Sequence, residues 1–258
     1  MLGGDGPRNY VVMIQNNAEP RTSGGISGTV IGLAVDDGRF EVTQYVEGNS
    51  MVDTSDEVTP LTDDERRIFT EKMAWYPQDV NFTPEFPRAA EIMAAFWERE
   101  TGQVPDGVVS LDPVALGYML EGMPSTDIGG IEVTADNVAQ VLLSDAYWEY
   151  PEPEQSDAFF ALASRELFGV LMSGDTAIVG GIEKAIGEGR FLLWSATDTE
   201  QDLIVTTPWA PSGSRTNPRS ECSSMMVPDP RSAITSRRVL TWWTTSAPMA
   251  PWPHRTSR

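Results

Sequence analysis

Short apolar runs that have the pattern of strands alternate along this sequence with segments that have a helical pattern. The first run is YVVMIQ (residues 10–15), and the two runs in TVIGLAVDDGRFEVTQYV (29–46) surround Asp37-Gly38, which strongly favours a hairpin turn. The runs DGVVSLD (106–112) and RFLLWSA (190–196) stand between helical segments. This alternation predicts an α/β fold in which helices flank a mixed β-sheet.

Capping residues mark where several helices begin and end. Thr62 precedes the acids of TDDERRIFTEKMAWY, and Asp112-Pro113 precedes PVALGYMLEGM, so both are expected to cap helices. A longer helix is predicted from Pro87 to about Thr101, where Gly102 stops it. A further helix is expected to begin after Thr134, which caps it. Others are expected over residues 157–172, 176–187 and 198–205. TSGGISG (22–28) is predicted to be a glycine-rich loop.

Charge divides the 258 residues into two parts, 1–210 and 211–258. The whole chain carries a formal net charge of -20. Residues 211–258 hold two acids and seven arginines, which leaves 36 of the 38 acids and 11 of the 18 bases in residues 1–210. The body is therefore near -25 and the tail near +5. A body with this charge repels nucleic acid and anionic lipid, so neither is an expected partner.

Cysteine and histidine are confined to residues 211–258. The only cysteine is Cys222 and the only histidine is His254. Residues 1–210 therefore contain no disulfide, no thiolate or imidazole zinc site, and no Ser-His-Asp or Cys-His mechanism. Chemistry in the body must use carboxylates, arginines, hydroxyls, amides, backbone groups or a hard cation with oxygen ligands such as Mg²⁺.

Four stretches, taken in order, resemble a single family. They are GGDGPRNYVVMIQNNAEPRTSGGISG, DVNFTPEFP, DGVVSLDPVALGYML and VTADNVAQVLL. Together they resemble the domain-of-unknown-function 4012 family, which occurs on membrane-anchored proteins of high-GC Gram-positive bacteria. The resemblance implies an extracytoplasmic body behind an N-terminal transmembrane helix. This chain is expected to start at the domain edge, truncated of that helix, and to be soluble alone.

A more distant similarity, of topology only, is to the LytR–CpsA–Psr family. Its members transfer glycopolymers from a polyprenyl pyrophosphate carrier to the cell wall. The similarity implies a LytR–CpsA–Psr-like sandwich and a glycopolymer or lipid-linked pyrophosphate as ligand. A shared fold does not fix function. A sugar-binding or scaffolding domain of the envelope, without catalysis, is therefore kept as the alternative.

The segment NNAEPRTSGG supplies the first group of candidate site residues. Arg21 is able to hold a phosphate by paired hydrogen bonds, beside Glu19. Gly24 and Gly25 let backbone N–H groups approach a ligand closely. The alternative is a structural ion pair of Glu19 and Arg21 that fixes the turn.

The segment QDVNFTPEFPR supplies the second group. Asp79 is predicted to act with Arg21 in catalysis, or to bind Mg²⁺ together with Glu85. Asn81 and Arg88 are predicted to bind the ligand, Arg88 from the first turn of a helix. Alternatively, Asp79 and Asn81 only cap turns. Convergence of both segments on one pocket would favour the functional interpretation.

The last 48 residues have a different character from the rest. Beyond Trp209 the sequence is rich in Ser, Thr, Pro, Arg and Trp and shows no period of 2 or 3.6. We therefore predict one α/β domain over residues 1–210. The prediction for residues 211–258 is a disordered, irregular tail that arises from out-of-frame translation.

Overall fold

The computed structural model of this chain describes residues 3, 4, 6–173 and 177–207. The predicted irregular tail, residues 211–258, lies outside them. Most of the described residues belong to strands and helices. The strands are β1 (Arg8–Arg21), β2 (Gly24–Asp36), β3 (Arg39–Glu47), β4 (Gly107–Leu111), β5 (Thr126–Ile128), β6 (Ile131–Val133) and β7 (Phe191–Ser195). The helices are α1 (Asp63–Phe69), α2 (Lys72–Trp75), α3 (Phe86–Thr101), α4 (Pro113–Met119), α5 (Val138–Gln140), α6 (Ala146–Glu149), α7 (Pro153–Ser173), α8 (Ala177–Gly187) and α9 (Asp198–Val205).

Five strands form the main sheet, in the order β3-β2-β1-β4-β7. Strands β1 and β4 are parallel, with Tyr10 opposite Gly107 and Ile14 opposite Leu111, whereas the other three pairs are antiparallel. The predicted mixed sheet is therefore confirmed. The short strands β5 and β6 pair separately as a two-stranded sheet.

Alternation along β1 builds a hydrophobic core on each face of the main sheet. Val11 and Met13 belong to a core that includes Trp97 of α3. Tyr10 and Val12 belong to the other core, which includes residues of α4, α7 and α8. Neighbouring side chains on a strand point to opposite faces, so each face of β1 is covered by helices. The predicted α/β architecture, with helices flanking the sheet, is confirmed.

Three of the predicted turn and capping signals are present in the structure. Asp37 and Gly38 both have positive φ, at 45° and 75°, as a tight hairpin turn requires. The Thr62 hydroxyl accepts a hydrogen bond from the Glu65 N–H at 3.2 Å, and the Glu65 carboxylate accepts one from the Thr62 N–H. Asp112 caps α4 by accepting from the Ala115 N–H at 2.8 Å.

Three local predictions differ from the structure. The segment after Thr62 forms two helices rather than one, because Thr70 has a φ of 64° and ends α1. The Thr134 side chain does not cap a helix. The backbone N–H of Thr134 donates to the side-chain oxygen of Asn137, and α5 begins only at Val138. The predicted glycine-rich loop is mostly strand, since β2 already begins at Gly24.

Helices α3 and α7 are the longest in the described part of the chain, at 16 and 21 residues. Within that part, no helix combines the length and the apolar character needed to cross a membrane.

Candidate functional site

A wide bulge interrupts β1 near its carboxyl end. Asn16 pairs with Ile26 and Pro20 pairs with Gly25, so residues 17–19 of β1 have no partners on β2. A bulge bends its strand and redirects the side chains beside it. Here the redirected side chains point to the helices of the α4 and α7 face: Asn17 donates to Asp112 at 3.2 Å, and Asn16 donates to the Tyr147 hydroxyl at 2.6 Å.

Side chains replace the ladder hydrogen bonds that the bulge removes. The Gly25 N–H donates to the side-chain oxygen of Gln15 at 3.1 Å, and the Gly25 carbonyl accepts from the Asn81 amide at 2.8 Å. Asn81 is fully buried, at 0% exposure, and also accepts from the Ser23 hydroxyl. The backbone groups of Gly25, which were expected to approach a ligand, are thus bonded within the protein, and so is the amide of Asn81.

Arg21 and Asp79 meet at the end of the β1–β2 hairpin. The Arg21 guanidinium lies 3.5 Å from the Asp79 carboxylate and stacks over the Phe82 ring, 5.2 Å from its centroid. Burial raises the pKa of the Asp79 carboxyl above its ordinary value, and the Arg21 charge offsets this rise only in part. The Arg21 Nε is buried and has no hydrogen-bond partner among the described residues. We call Arg21, Gly25, Asp79, Asn81 and Phe82 the hairpin-tip cluster.

Arg88 is bonded to other residues than that ion pair, and Glu85 is exposed. The Arg88 guanidinium donates to both oxygens of Glu65, at 2.7 and 3.2 Å, and to Glu91 and the Pro60 carbonyl. Burial tends to raise the pKa of Glu65, but the hydrogen bonds from Arg88 and Thr62 and the positive charge of Arg88 together outweigh it and hold that pKa below its ordinary value. Arg88 therefore ties α3 to α1. Glu85 is exposed in front of α3, and its side chain caps nothing.

No cluster of three or more His, Cys, Asp or Glu side chains suited to a metal ion occurs among residues 3–4, 6–173 and 177–207. Asp79 is paired with Arg21 and Glu85 is exposed, and their joint binding of Mg²⁺ stays a prediction. A hard cation needs several oxygen ligands at once.

A cleft of about 370 Å³ opens beside the bulge, on the α4 and α7 face of the sheet. It lies where β1 ends, and Pro113, two residues beyond the end of β4, also lines it. The carboxyl ends of parallel strands are where ligands bind in open α/β sheets, and the volume lies within the range of small-molecule sites. Of the predicted site residues, Glu19 alone lines this cleft.

The cleft is lined by a set of apolar and a set of polar side chains, which we call its apolar wall and its polar wall. Leu116, Leu142, Leu167 and Phe168 supply much of the apolar wall, from α4, the π-helical turn at residues 141–145 and α7. The polar lining consists of carboxylates, amides and hydroxyls, which are Gln15, Asn16, Glu19, Ser27, Thr29, Glu47, Asn49, Gln78, Tyr147, Ser156, Asp157 and Ser164. The described residues of the lining include no Lys, Arg or His.

Tyr147 connects the two walls. Its ring packs against Phe160 with 5.3 Å between centroids, and its hydroxyl accepts from Asn16, which also donates to Glu19 at 3.3 Å. Partial burial raises the pKa of the Tyr147 hydroxyl, and the charges of Glu19 and Asp157 raise it further against the hydrogen bond from Asn16. The negative charges of Glu19 and Asp157 therefore both act on the Tyr147 hydroxyl.

Two buried polar atoms of the lining residues are without partners. Ser27 is 0% exposed, and neither its hydroxyl nor the side-chain oxygen of Gln78 has a hydrogen-bond partner among the described residues. Buried polar groups are almost always bonded, and each exception calls for an explanation such as a ligand. The sequence interpretation missed both residues. The signal was weak: a serine at an inward position of a strand and a glutamine just before Asp79.

Comparison with known proteins identifies the family of the chain. The family described as "Protein of unknown function (DUF4012)" matches residues 5–147, more than half of the chain, so the chain belongs to that family and the predicted membership is confirmed. No curated protein matches the chain. The matched segment carries the hairpin-tip cluster and the β1 side of the cleft, whereas α7 lies beyond it.

Proposed function

We propose that this domain binds the carbohydrate portion of a cell-envelope glycopolymer in the cleft, without catalysis. The composition of the cleft carries the proposal: amides, hydroxyls and carboxylates surround an apolar wall with Tyr147 and Phe160. Sugars offer many hydroxyls that these groups bind, and apolar ring faces that aromatic rings contact. The envelope location is part of the proposal and rests on the family resemblance.

The absence of basic side chains from the described lining of the cleft disfavours a pyrophosphate there. Phosphate groups are bound by arginine, lysine, backbone N–H groups or a metal ion. The cleft instead has Glu19, Glu47 and Asp157 in its lining, and these carboxylates repel an anion. A neutral or cationic ligand is therefore the better match.

Titration of the full chain with neutral trisaccharides such as cellotriose tests the proposal. We expect saturable binding by calorimetry, weakened about thirtyfold by Tyr147→Ala, because an interfacial aromatic anchor contributes on the order of 2 kcal/mol. Phe40→Ala is the matched control, since Phe40 is an exposed aromatic residue on β3 outside the cleft lining. Equal binding by the two variants would refute this site.

A second candidate function, binding or transfer of a polyprenyl-pyrophosphate-linked glycopolymer, is favoured by the unpartnered Nε of Arg21. In this function Arg21 holds the pyrophosphate, and Asp79 acts beside it or through Mg²⁺. Farnesyl pyrophosphate with Mg²⁺ is the probe, and Arg21→Ala is expected to abolish its binding. Binding that is unaffected by Arg21→Ala rules this candidate out.

A further inference from the structure

The mouth of the cleft is acidic and its neighbouring cations are engaged elsewhere. Glu19, Glu47 and Asp157 come from three different elements, β1, β3 and α7, and all three are exposed. Three nearby arginines have carboxylate partners: Arg21 pairs with Asp79, Arg165 with Glu166 and Arg190 with Asp112 and Glu188. The negative charge at the mouth therefore has no counterion within the described lining of the cleft.

The two buried atoms of the lining residues that lack partners among the described residues are also acceptors. The Gln78 side-chain oxygen only accepts hydrogen bonds, and the Ser27 hydroxyl accepts as well as donates. Both are buried and unpartnered, which costs about 1–3 kcal/mol for each group. A ligand rich in hydrogen-bond donors removes this cost. The acidic mouth and the acceptors inside thus select for the same ligand property, by independent observations.

An ammonium group combines that property with a positive charge. It offers three donors and no acceptor, whereas a hydroxyl offers one donor and an acetamido group has one donor and one acceptor without charge. We infer that the cleft is specific for an amino sugar with a free ammonium group, over the N-acetylated or hydroxyl form of the same sugar. This inference rests on the proposed carbohydrate-binding function and names its ligand class.

Apolar contacts distinguish such a sugar from a simple polyamine. A flexible, fully hydrated cation gains little free energy from contact with apolar side chains. The cleft nevertheless has many of them: Leu116, Leu142, Leu167, Phe168 and the Tyr147–Phe160 pair. A sugar ring places its C–H face on such a wall while its substituents reach the polar side. The two walls therefore require a ligand with one apolar face and one donor-rich edge.

Three β-1,4-linked trisaccharides that differ only at the 2-position test the inference: those of glucosamine, N-acetylglucosamine and glucose. Calorimetry with the full chain at about pH 6, where the sugar amines are protonated, is expected to give at least tenfold tighter binding of the glucosamine trisaccharide. The preference is expected to shrink as salt rises from about 20 to 300 mM, because salt screens exposed charges.

Charge-neutral variants locate the preference. Glu47→Gln and Asp157→Asn are each expected to reduce it about threefold, and the double variant to remove most of it. Glu41→Gln is the matched control: Glu41 is an exposed glutamate on the same strand as Glu47 but outside the cleft lining, and it removes the same charge. Thermal unfolding of each variant verifies that the chain still folds.

The possible results separate the inference from the function on which it rests. Equal binding of all three trisaccharides overturns the amino-sugar inference and leaves carbohydrate binding in place. Binding of none overturns both. A glucosamine preference that persists in the Glu47→Gln, Asp157→Asn double variant, or that Glu41→Gln reduces equally, overturns the inference because it reflects only the net charge of the body. Spermidine that binds as tightly as the glucosamine trisaccharide also overturns it.

Discussion

The hairpin-tip cluster and the cleft both depend on β1, but they differ in how their amide and hydroxyl groups are bonded, although the Arg21 Nε of the cluster also lacks a partner among the described residues. In the cluster, the amide of Asn81 and both backbone groups of Gly25 are bonded inside the protein. In the cleft, the buried Ser27 hydroxyl and Gln78 oxygen are left without partners in the described structure. The polar residues of the cluster thus complete the hydrogen bonds of the bulged hairpin, whereas the unbonded groups of the cleft are the ones that the proposed ligand would bind.

Of the substitutions that test this comparison, Gly25→Ala is expected to change the free energy of unfolding most. A Cβ at residue 25 would overlap the Asn16 carbonyl, which belongs to the backbone and cannot move alone. We expect a loss of about 3 kcal/mol in the free energy of unfolding, measured by denaturant titration. Gly28→Ala is the control on the same strand, because a Cβ there meets no atom within 4 Å. An equal loss in both variants would contradict the account of the bulge.

A smaller loss, about 2 kcal/mol, is expected from Asn81→Ala. The substitution leaves the buried Gly25 carbonyl without its donor and opens a small cavity. Denaturant unfolding measures the effect, and the exposed Asn49→Ala is expected to change stability by less than about 0.5 kcal/mol. A stable Asn81→Ala chain would show that water replaces the amide.

Ser27→Ala is expected to act in the opposite direction, by about 1 kcal/mol. Removing a buried hydroxyl that has no partner relieves a desolvation cost, so the chain becomes more stable. The same variant is expected to bind cellotriose more weakly, by calorimetry. A gain in stability without a loss of binding would mean that the hydroxyl is not reserved for the ligand.

The smallest effect concerns the pH dependence of stability at Asp79. Its pKa is raised in the folded state, so the native protein holds the proton more tightly than the unfolded chain does. Stability is therefore expected to fall as pH rises from about 3.9, the ordinary value for Asp, through the raised pKa. Asp79→Asn lacks this fall, whereas the exposed control Glu85→Gln retains it. Thermal unfolding between about pH 3 and 7 measures it, and parallel curves for Asp79→Asn and the wild type would contradict the shift.

Local signals predicted much of the fold, because they depend on neighbours in sequence. Asp37-Gly38, Thr62, Gly102 and Asp112 each act within a few residues, and each is found in its predicted role. The bulge was not predictable in this way. It depends on Gln15 and on Asn81, which is 56 residues from Gly25, to complete the hydrogen bonds of one glycine.

The candidate site was predicted less well than the fold. Arg21 and Asp79 do lie together, but Arg88 is bonded to Glu65, and their roles in binding stay a prediction. The cleft joins Asn16 to Tyr147, which are 131 residues apart, and adds a wall from α7. A sequence pattern contains residue types but no distances between remote segments, so it does not show which polar residues remain unbonded.

Helix α7 lines the cleft but is not part of the main sheet, so the residues that form the sheet and some of those that would select the ligand belong to different elements. Four of the five strands of the main sheet, the bulge and Tyr147 fall within residues 5–147, whereas Asp157 and Phe160 come from α7 and the fifth strand, β7, lies further along the chain. Substitutions confined to one face of α7 would change the charge and shape of the cleft without altering the sheet. In a domain built in this way, exchange of a single helix would alter the ligand while most of the sheet is kept, and a chain used for binding experiments must include both α7 and β7, which completes the main sheet.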